Sequence, residues 1–500
     1  MARKIARTLT IKGRLVSQTP IHVGGAETGA ITDMALAVDG LGRYYIPGTS
    51  LAGAIRAYAQ AAPDDALWGY ALGEDQGTAS RVVIDDAPAL DAPASELWHG
   101  NGIDRRSGTA ADNIKYDREV LPEGTAFDFR LTLEVLEDED ADLHRGLLAQ
   151  LLDALEAGEV PLGASATRGL GRVKLIGAEC TEQDWATPEG ILHLLSGTPG
   201  TDCRSGWQTN RDLHALSSPP RIRITIHWQP KGPLMSRSAR DGVVVDSLPF
   251  VSRRNDGRLA LALPGAGIKG AWRAHAERIV RTVLDRDHVA DKHHEQVDVP
   301  LVSELFGRAR RPDRRGGKAA GGSPAKGQLA FETCYARFAL SSQQWDELER
   351  EESLWRPAPS SERPMAMAMH VAVDRWTGGA ADSLLYNAVE PMGIAWEPLV
   401  LRLKLADEPR AQLALLWLVL RDFCTGRIPL GYGVNRGYGD LEVERVSIDG
   451  LGAVCDGCPD PLTLEVQGGE FVDTSIEPLI SALRDAWATW LRSETEGATA

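Results

Sequence analysis

The sequence predicts an α+β protein built from two tandem copies of one split βαβ, ferredoxin-like unit. Three observations carry this. A helix-opening block, IPGTSLAGAIR at residues 46–56, returns as LPGAGIKGAWR at 263–273. A block at 103–127 returns at 373–396, with Asp104 opposite Asp374, Arg105 opposite Arg375, Gly108 opposite Gly378 and Tyr116 opposite Tyr386 at one constant offset. A glycine loop, PLGASATRGLGRVKL from Pro161, returns as PLGYGVNRGYGDLEV from Pro429. Repeats at matched spacing mean one module written twice.

Each copy opens with an alternating strand, Leu9, Ile11, Gly13 and Leu15 in the first and Ile222, Ile224, Ile226 and Trp228 in the second. A loop with a candidate acid follows: Gly24, Gly25 and Asp33 in one copy, Asp246 within GVVVDSLPFV in the other. Next comes the Pro-Gly turn that begins a helix, where Thr49 or Ser50 suits an N-cap. Such a helix start has amides without intrahelical partners and a dipole that attracts anions, so Gly48, Thr49, Ser50, Arg56, Gly265, Gly267, Lys269 and Arg273 are candidate phosphate contacts. The LWG turn at 67–69 and the LFG turn at 305–307 each lead into a strand.

After the 103–127 and 373–396 blocks, each copy has a period-2 strand, at 127–135 and 399–405. An amphipathic helix then presents Leu143, Leu147, Leu151 and Leu155, or Leu413, Leu416, Trp417 and Leu420. The glycine loop and a last strand close each copy. The expected domains are 1–216, 217–450 with a basic insertion at about 307–327, and a C-terminal helical extension at 451–500, whose helix is expected over 473–492 on an apolar face of Ile476, Ile480, Leu483, Trp487 and Leu491.

With 43% hydrophobic and 25% charged residues, the composition is that of a soluble globular chain. It has no apolar run of roughly 18 residues, and its first residues alternate in polarity, so cytoplasmic localisation without a membrane partner is expected. A net charge of -16 argues against nucleic acid only until its distribution is considered, because acids cluster at 137–142 and arginines sit beside glycine at Arg168, Arg172, 308–315 and Arg436. Six cysteines do not make a disulfide framework. Cys455 and Cys458 have zinc half-site spacing that Cys180 and Cys203 could complete, with unliganded thiols as the simpler alternative; no zinc site is assigned.

Taken in order and twice over, the blocks HVGG with Asp33, IPGTSLAGAIR, LWG, IDRRSGTAAD and GASATRGLGRV, then GVVVD, LPGAGIKGAWR, LFG, VDRWTGGAAD and GYGVNRGYGD, resemble the CRISPR-associated RAMP superfamily, specifically the backbone subunits of type III effector complexes. The resemblance implies modified RRM-like RAMP domains with inserted thumb hairpins. It implies a guide CRISPR RNA gripped along its backbone, a complementary target RNA and other effector subunits as partners. It also implies target cleavage by a loop aspartate, Asp33 in the first copy and Asp246 in the second. Such a carboxylate could hold Mg²⁺ or another divalent cation together with RNA phosphates, or orient the ribose 2′-OH for attack on its own phosphate. The glycine loops, with Arg168, Arg172 and Arg436, and the hairpin arginines Arg105 and Arg375, become expected RNA contacts. Asp39, Asp241 and His22 rival the two aspartates by position. A non-catalytic RNA scaffold and a guide-precursor processing ribonuclease are the alternative functions.

Overall fold

The computed structural model describes residues 3–25, 32–71, 77–196, 202–213, 216, 220–240, 242–286, 289–308, 325–351, 364–405, 409–455, 457–472 and 476–497. Most of the basic insertion, residues 309–324, lies outside them, as does Asp241. The chain divides into two compact units. One comprises residues 1–98, 117–166 and 170–218; the other comprises 99–116, 167–169 and 219–500.

The first unit runs β1 (Ile5–Ser17), α1 (Gly48–Tyr58), β2 (Val82–Ile84), β3 (Ala126–Leu136), α2 (Ala141–Ala157) and β4 (Val173–Asp184). The four strands form a sheet in the order β4-β1-β3-β2 with every neighbour antiparallel. Period-2 alternation puts Leu9, Ile11 and Leu15 of β1 and Phe127, Phe129, Leu131 and Leu133 of β3 on one buried face. Gly13 lies where the β1–β4 register shifts between Lys12 and Arg14, and a Cβ there would come within 2.9 Å of Leu175 Cδ1. The α2 helix begins where the Asp140 carboxylate accepts the Asp142 amide at 2.9 Å, and ends at Gly158 with φ 72°. Leu147, Leu148, Leu151, Leu152 and Leu155 are buried against the sheet. Each contributes roughly 1.5–3 kcal/mol, so an acid at Leu151 would break the layer. Leu143, expected on that face, is 42% exposed, because it precedes the turn that meets the core.

The second unit repeats this arrangement: β5 (Arg221–Pro230), α3 (Gly265–Val283), β6 (Leu329–Phe331), β7 (Met365–Val373), β8 (Ala380–Pro391), β9 (Leu399–Lys404), α4 (Arg410–Cys424) and β10 (Leu441–Asp449). Its main sheet has the order β6-β9-β5-β10, the counterpart of the first, and β11 (Leu462–Gln467) extends it beyond β10. Strands β7 and β8 form a two-stranded sheet, from Met365 opposite Pro391 to Val373 opposite Ala380, and β8 also bridges Ser247 through Ala388. At their tip the Asp374 carboxylate accepts the amides of Trp376 and Thr377, both at 2.8 Å. In the first copy Asp104 closes the same turn, accepting from Ser107 and Arg106 at 2.9 and 2.8 Å, and the Ser107 amide, the Gln296 side chain and the Arg106 amide together hold its carboxyl down to about 2. The terminal helix α5 (Glu477–Gly497) follows the expected pattern in part: Leu479 and Leu483 are buried in the same core as α4, with Ile476 and Trp487 packed against it.

Candidate functional site

Both loop aspartates sit in the same backbone frame. In the first unit Gly24 bridges Leu36 antiparallel and Met34 bridges Arg118 parallel; in the second, Arg237 bridges Pro249 antiparallel and Ser247 bridges Ala388 parallel. The aspartate directly precedes the residue of the parallel bridge in each case. Asp33 Oδ2 accepts the Asp117 amide at 3.0 Å, and Asp246 Oδ2 accepts the Asn387 amide at 2.9 Å. The Met34 amide donates to Asp117 O at 3.1 Å and the Ser247 amide to Asn387 O at 3.2 Å. Both aspartate side chains are exposed. Each loop therefore holds a fixed, solvent-facing carboxylate with one oxygen engaged by the backbone.

The glycine loops are fastened to the chain that leads into these aspartates. Ala164 donates to His22 O at 2.9 Å and Tyr432 to Met235 O at 2.7 Å; Gly171 donates to Pro20 O and Gly439 to Pro233 O, both at 2.9 Å. A Cβ on Gly163 would lie 2.2 Å from His22 O, and one on Gly431 would lie 2.3 Å from Met235 O. Both glycines have positive φ, 74° and 86°, so close backbone approach and conformation both require glycine.

The helix starts do not form the anticipated anion cradle. Thr49 and Ser50 are not caps: the N-cap is Pro47, with no side-chain bond, and α3 starts in the same way at Pro264. The Gly48 amide donates to Asp86 Oδ1 at 2.7 Å and the Gly265 amide to Thr333 Oγ1 at 3.3 Å. A Cβ on Gly48 would meet Ile84 O at 2.3 Å and one on Gly265 would meet Phe331 O at 2.5 Å, so these glycines admit the neighbouring strand, not a ligand. Gly267, the other candidate glycine of α3, is exposed with open space around it.

The candidate basic residues of these helices bond to the protein itself as well. Arg56 donates to Gly69 O, Ala62 O and Pro63 O, each at 3.0 Å. Its counterpart Arg273 donates to Gly307 O at 3.1 Å, Val297 O at 2.5 Å and Glu277 at 2.8 Å. These arginines hold the LWG and LFG turns. Lys269 is buried, with Nζ donating to Leu329 O at 2.8 Å, and burial pushes its ammonium down to about 7, with Arg168 and Arg273 adding to the shift. Arg105 donates to Glu277 at 2.6 Å and to Ile103 O at 3.0 Å. All four cations thus have partners within the protein. Arg172 is half-buried, whereas Arg168, Arg375 and Arg436 are exposed.

Arg436 lies in a group that sequence reasoning missed. Its guanidinium lies 5.0 Å from the Tyr432 ring and 5.7 Å from that of Tyr386, and it donates to both phenols. The tyrosine spacing in GYGVNRGYGD, absent from GASATRGLGRV, is the signal that could have found it.

The rival residues have structural occupations. His22 is buried, its Nδ1 2.6 Å from Glu119 O, and burial lowers its pKa. Asp39 closes a turn, accepting the Leu41 and Arg43 amides at 2.9 Å. Cys455 and Cys458 form a disulfide with each other. No three His, Cys, Asp or Glu side chains come together to hold a metal among the described residues. No helix among them is long and apolar enough to cross a membrane.

A sequence model of the RAMP superfamily matches residues 14–174 and 248–442. The chain belongs to the RAMP superfamily. It carries two RAMP copies in tandem, and the matches take in both glycine loops and Asp33, while Asp246 stands two residues before the second begins. The RAMP chain is also similar to the CRISPR system Cms endoribonuclease Csm3 of Methanocaldococcus jannaschii, 28% identical over 203 residues, spanning 33% of this chain and 80% of that protein.

Proposed function

We propose that this protein is a guide-RNA-binding backbone subunit of a type III CRISPR effector complex, a fusion of two modified ferredoxin-like RAMP domains, that cleaves complementary RNA at Asp33 and Asp246. The observation that carries the reading is the duplicated loop frame, which exposes one carboxylate at the same backbone position of each copy. The β-α-β-β-α-β order with strand order 4-1-3-2 in both units supports the domain assignment. The β7–β8 hairpin, a two-stranded sheet separate from the main sheet, suits a thumb that displaces a base pair of the guide–target duplex.

Cleavage proceeds through the RNA's own ribose. The 2′-oxygen attacks the adjacent phosphorus, its proton passes to the unengaged carboxylate oxygen, and the P–O5′ bond breaks with the 5′-oxygen taking a proton from water. The products are a 2′,3′-cyclic phosphate and a 5′-OH. Among the described residues the donor set alone does not make a metal centre, since each loop offers one carboxylate with one oxygen engaged. Dependence on Mg²⁺ or another divalent cation remains part of the proposal only with RNA phosphates as the other ligands, and no step is assigned to it.

The test is a guide-loaded assembly with end-labelled complementary RNA and Mg²⁺, comparing Asp33→Ala, Asp246→Ala and the double variant. Each single variant should lose one discrete product, and EDTA should abolish both. A second reading, a non-catalytic scaffold, is favoured by the bond each carboxylate makes to a backbone amide. Unchanged cleavage by the double variant would establish it over the first.

A further inference from the structure

Around Asp246 the second unit gathers a group of side chains of which the first copy repeats only Arg168, opposite Arg436, and Tyr116, opposite Tyr386. Arg436 Nη2 donates to the Tyr432 hydroxyl at 2.9 Å, Nη1 donates to the Tyr386 hydroxyl, and the guanidinium overlies both rings. Tyr386 directly precedes Asn387, whose amide holds Asp246. The Tyr386 ring stacks on His370 at 5.1 Å and 20°, and His370 Nε2 lies 3.1 Å from the Tyr438 hydroxyl. Arg237 lies 5.9 Å from the Tyr432 ring and donates to Asp246 O at 3.5 Å. In the first copy Ala164 stands for Tyr432, Leu170 for Tyr438 and Gly24 for Arg237. Gly24 and Arg237 make the same bridge, so the comparison is of equivalent backbone. The cation near Asp33 is a different one, Arg118, which bonds Ser165 and reaches Met34 Sδ at 3.2 Å.

We propose that Arg436 and Arg237, splinted by Tyr432 and Tyr386, form a clamp for a target-RNA phosphate at the Asp246 site, and that the Asp33 site works without one. This rests on the ribonuclease reading. A guanidinium presents a planar fork that matches two phosphate oxygens, and its confinement by two phenols lowers the entropy lost on binding. Two cations near a carboxylate that orients the ribose would also meet the charge that develops on phosphorus. The two cleavage sites of one chain therefore differ in their grip on RNA.

The guide-loaded assembly with end-labelled complementary RNA gives both products in one reaction, so the Asp33 product serves as an internal control. Arg436→Ala should lower the Asp246 product about 10²-fold, the range for losing one charge-stabilising donor, Tyr432→Ala should lower it in the same direction, and both should leave the Asp33 product unchanged. Loss of both products together, or of neither, overturns the clamp. A second measurement does not need cleavage. In the Asp33→Ala/Asp246→Ala assembly, adding Arg436→Ala and Arg237→Ala should lower the salt slope of target-RNA binding by about 0.7 to 0.9 for each phosphate that is no longer neutralised. Arg436→Lys, which keeps the charge, should restore its share of the slope. If the wild-type assembly makes no product, the ribonuclease reading fails, and an unchanged slope then overturns the clamp by itself.

Discussion

Asp246 and Asn387 are bonded reciprocally: the Asp246 carboxylate accepts the Asn387 amide at 2.9 Å, and the Asn387 side-chain oxygen accepts the Asp246 amide at 2.6 Å. The aspartate's position thus depends on its own hydrogen bonds, which separates what the residue does for the loop from what it does for RNA.

Asp246→Asn keeps an oxygen for the Asn387 amide, so the thermal midpoint should match wild type, whereas Asp246→Ala should lower it. Both substitutions should reduce the Asp246 product at least about 10²-fold, the range for losing a positioned proton acceptor. Calorimetry beside the cleavage assay reads the two effects separately, and an Asn variant with full activity would remove the carboxylate from the chemistry.

Arg273 should be needed for folding and not for RNA. Its side chain is 17% exposed and satisfies two loop carbonyls and Glu277, itself 3% exposed. Arg273→Ala leaves a buried carboxylate with Arg105 alone and should destabilise the chain by roughly 3–5 kcal/mol, read by urea unfolding. RNA affinity per folded molecule should stay unchanged.

Lys269 should make stability pH-dependent. Burial holds its ammonium down to about 7 from an unfolded value of 10.5. Below pH 7 both states carry the proton and the burial cost is felt in full. Above it the folded lysine sheds its proton while the unfolded one keeps it, so stability rises with pH towards 10.5, by up to about 1.4 kcal/mol per unit. Lys269→Met should flatten that rise between pH 7 and 9.5, and an unaltered slope would show that the buried amine titrates normally.

The duplication, the core strands and the framed aspartates were legible because they rest on local pattern: period-2 alternation, apolar helix faces and blocks repeated at fixed spacing. The helix starts were misread because what fills them comes from far along the chain. Nothing near Gly48 announces that Ile84 O and Asp86 will occupy the end of α1, and nothing near Gly265 announces Phe331 O and Thr333. Arg56 and Arg273 look like surface cations by composition, yet their carbonyl partners lie in turns that only the folded chain brings to them. The tyrosines around Arg436 were visible in the sequence, but that their rings flank a guanidinium depends on β8 meeting the glycine loop.

The backbone contact of Gly163 with His22 O and of Gly431 with Met235 O leaves no room for slack between the arginine-bearing loop and the segment that ends in the aspartate. In each unit the glycine loop is bonded to the chain ahead of the aspartate. On the proposed reading, RNA held at Arg436 would bear on the segment that carries Asp246, so binding and alignment of the acid would rise and fall together.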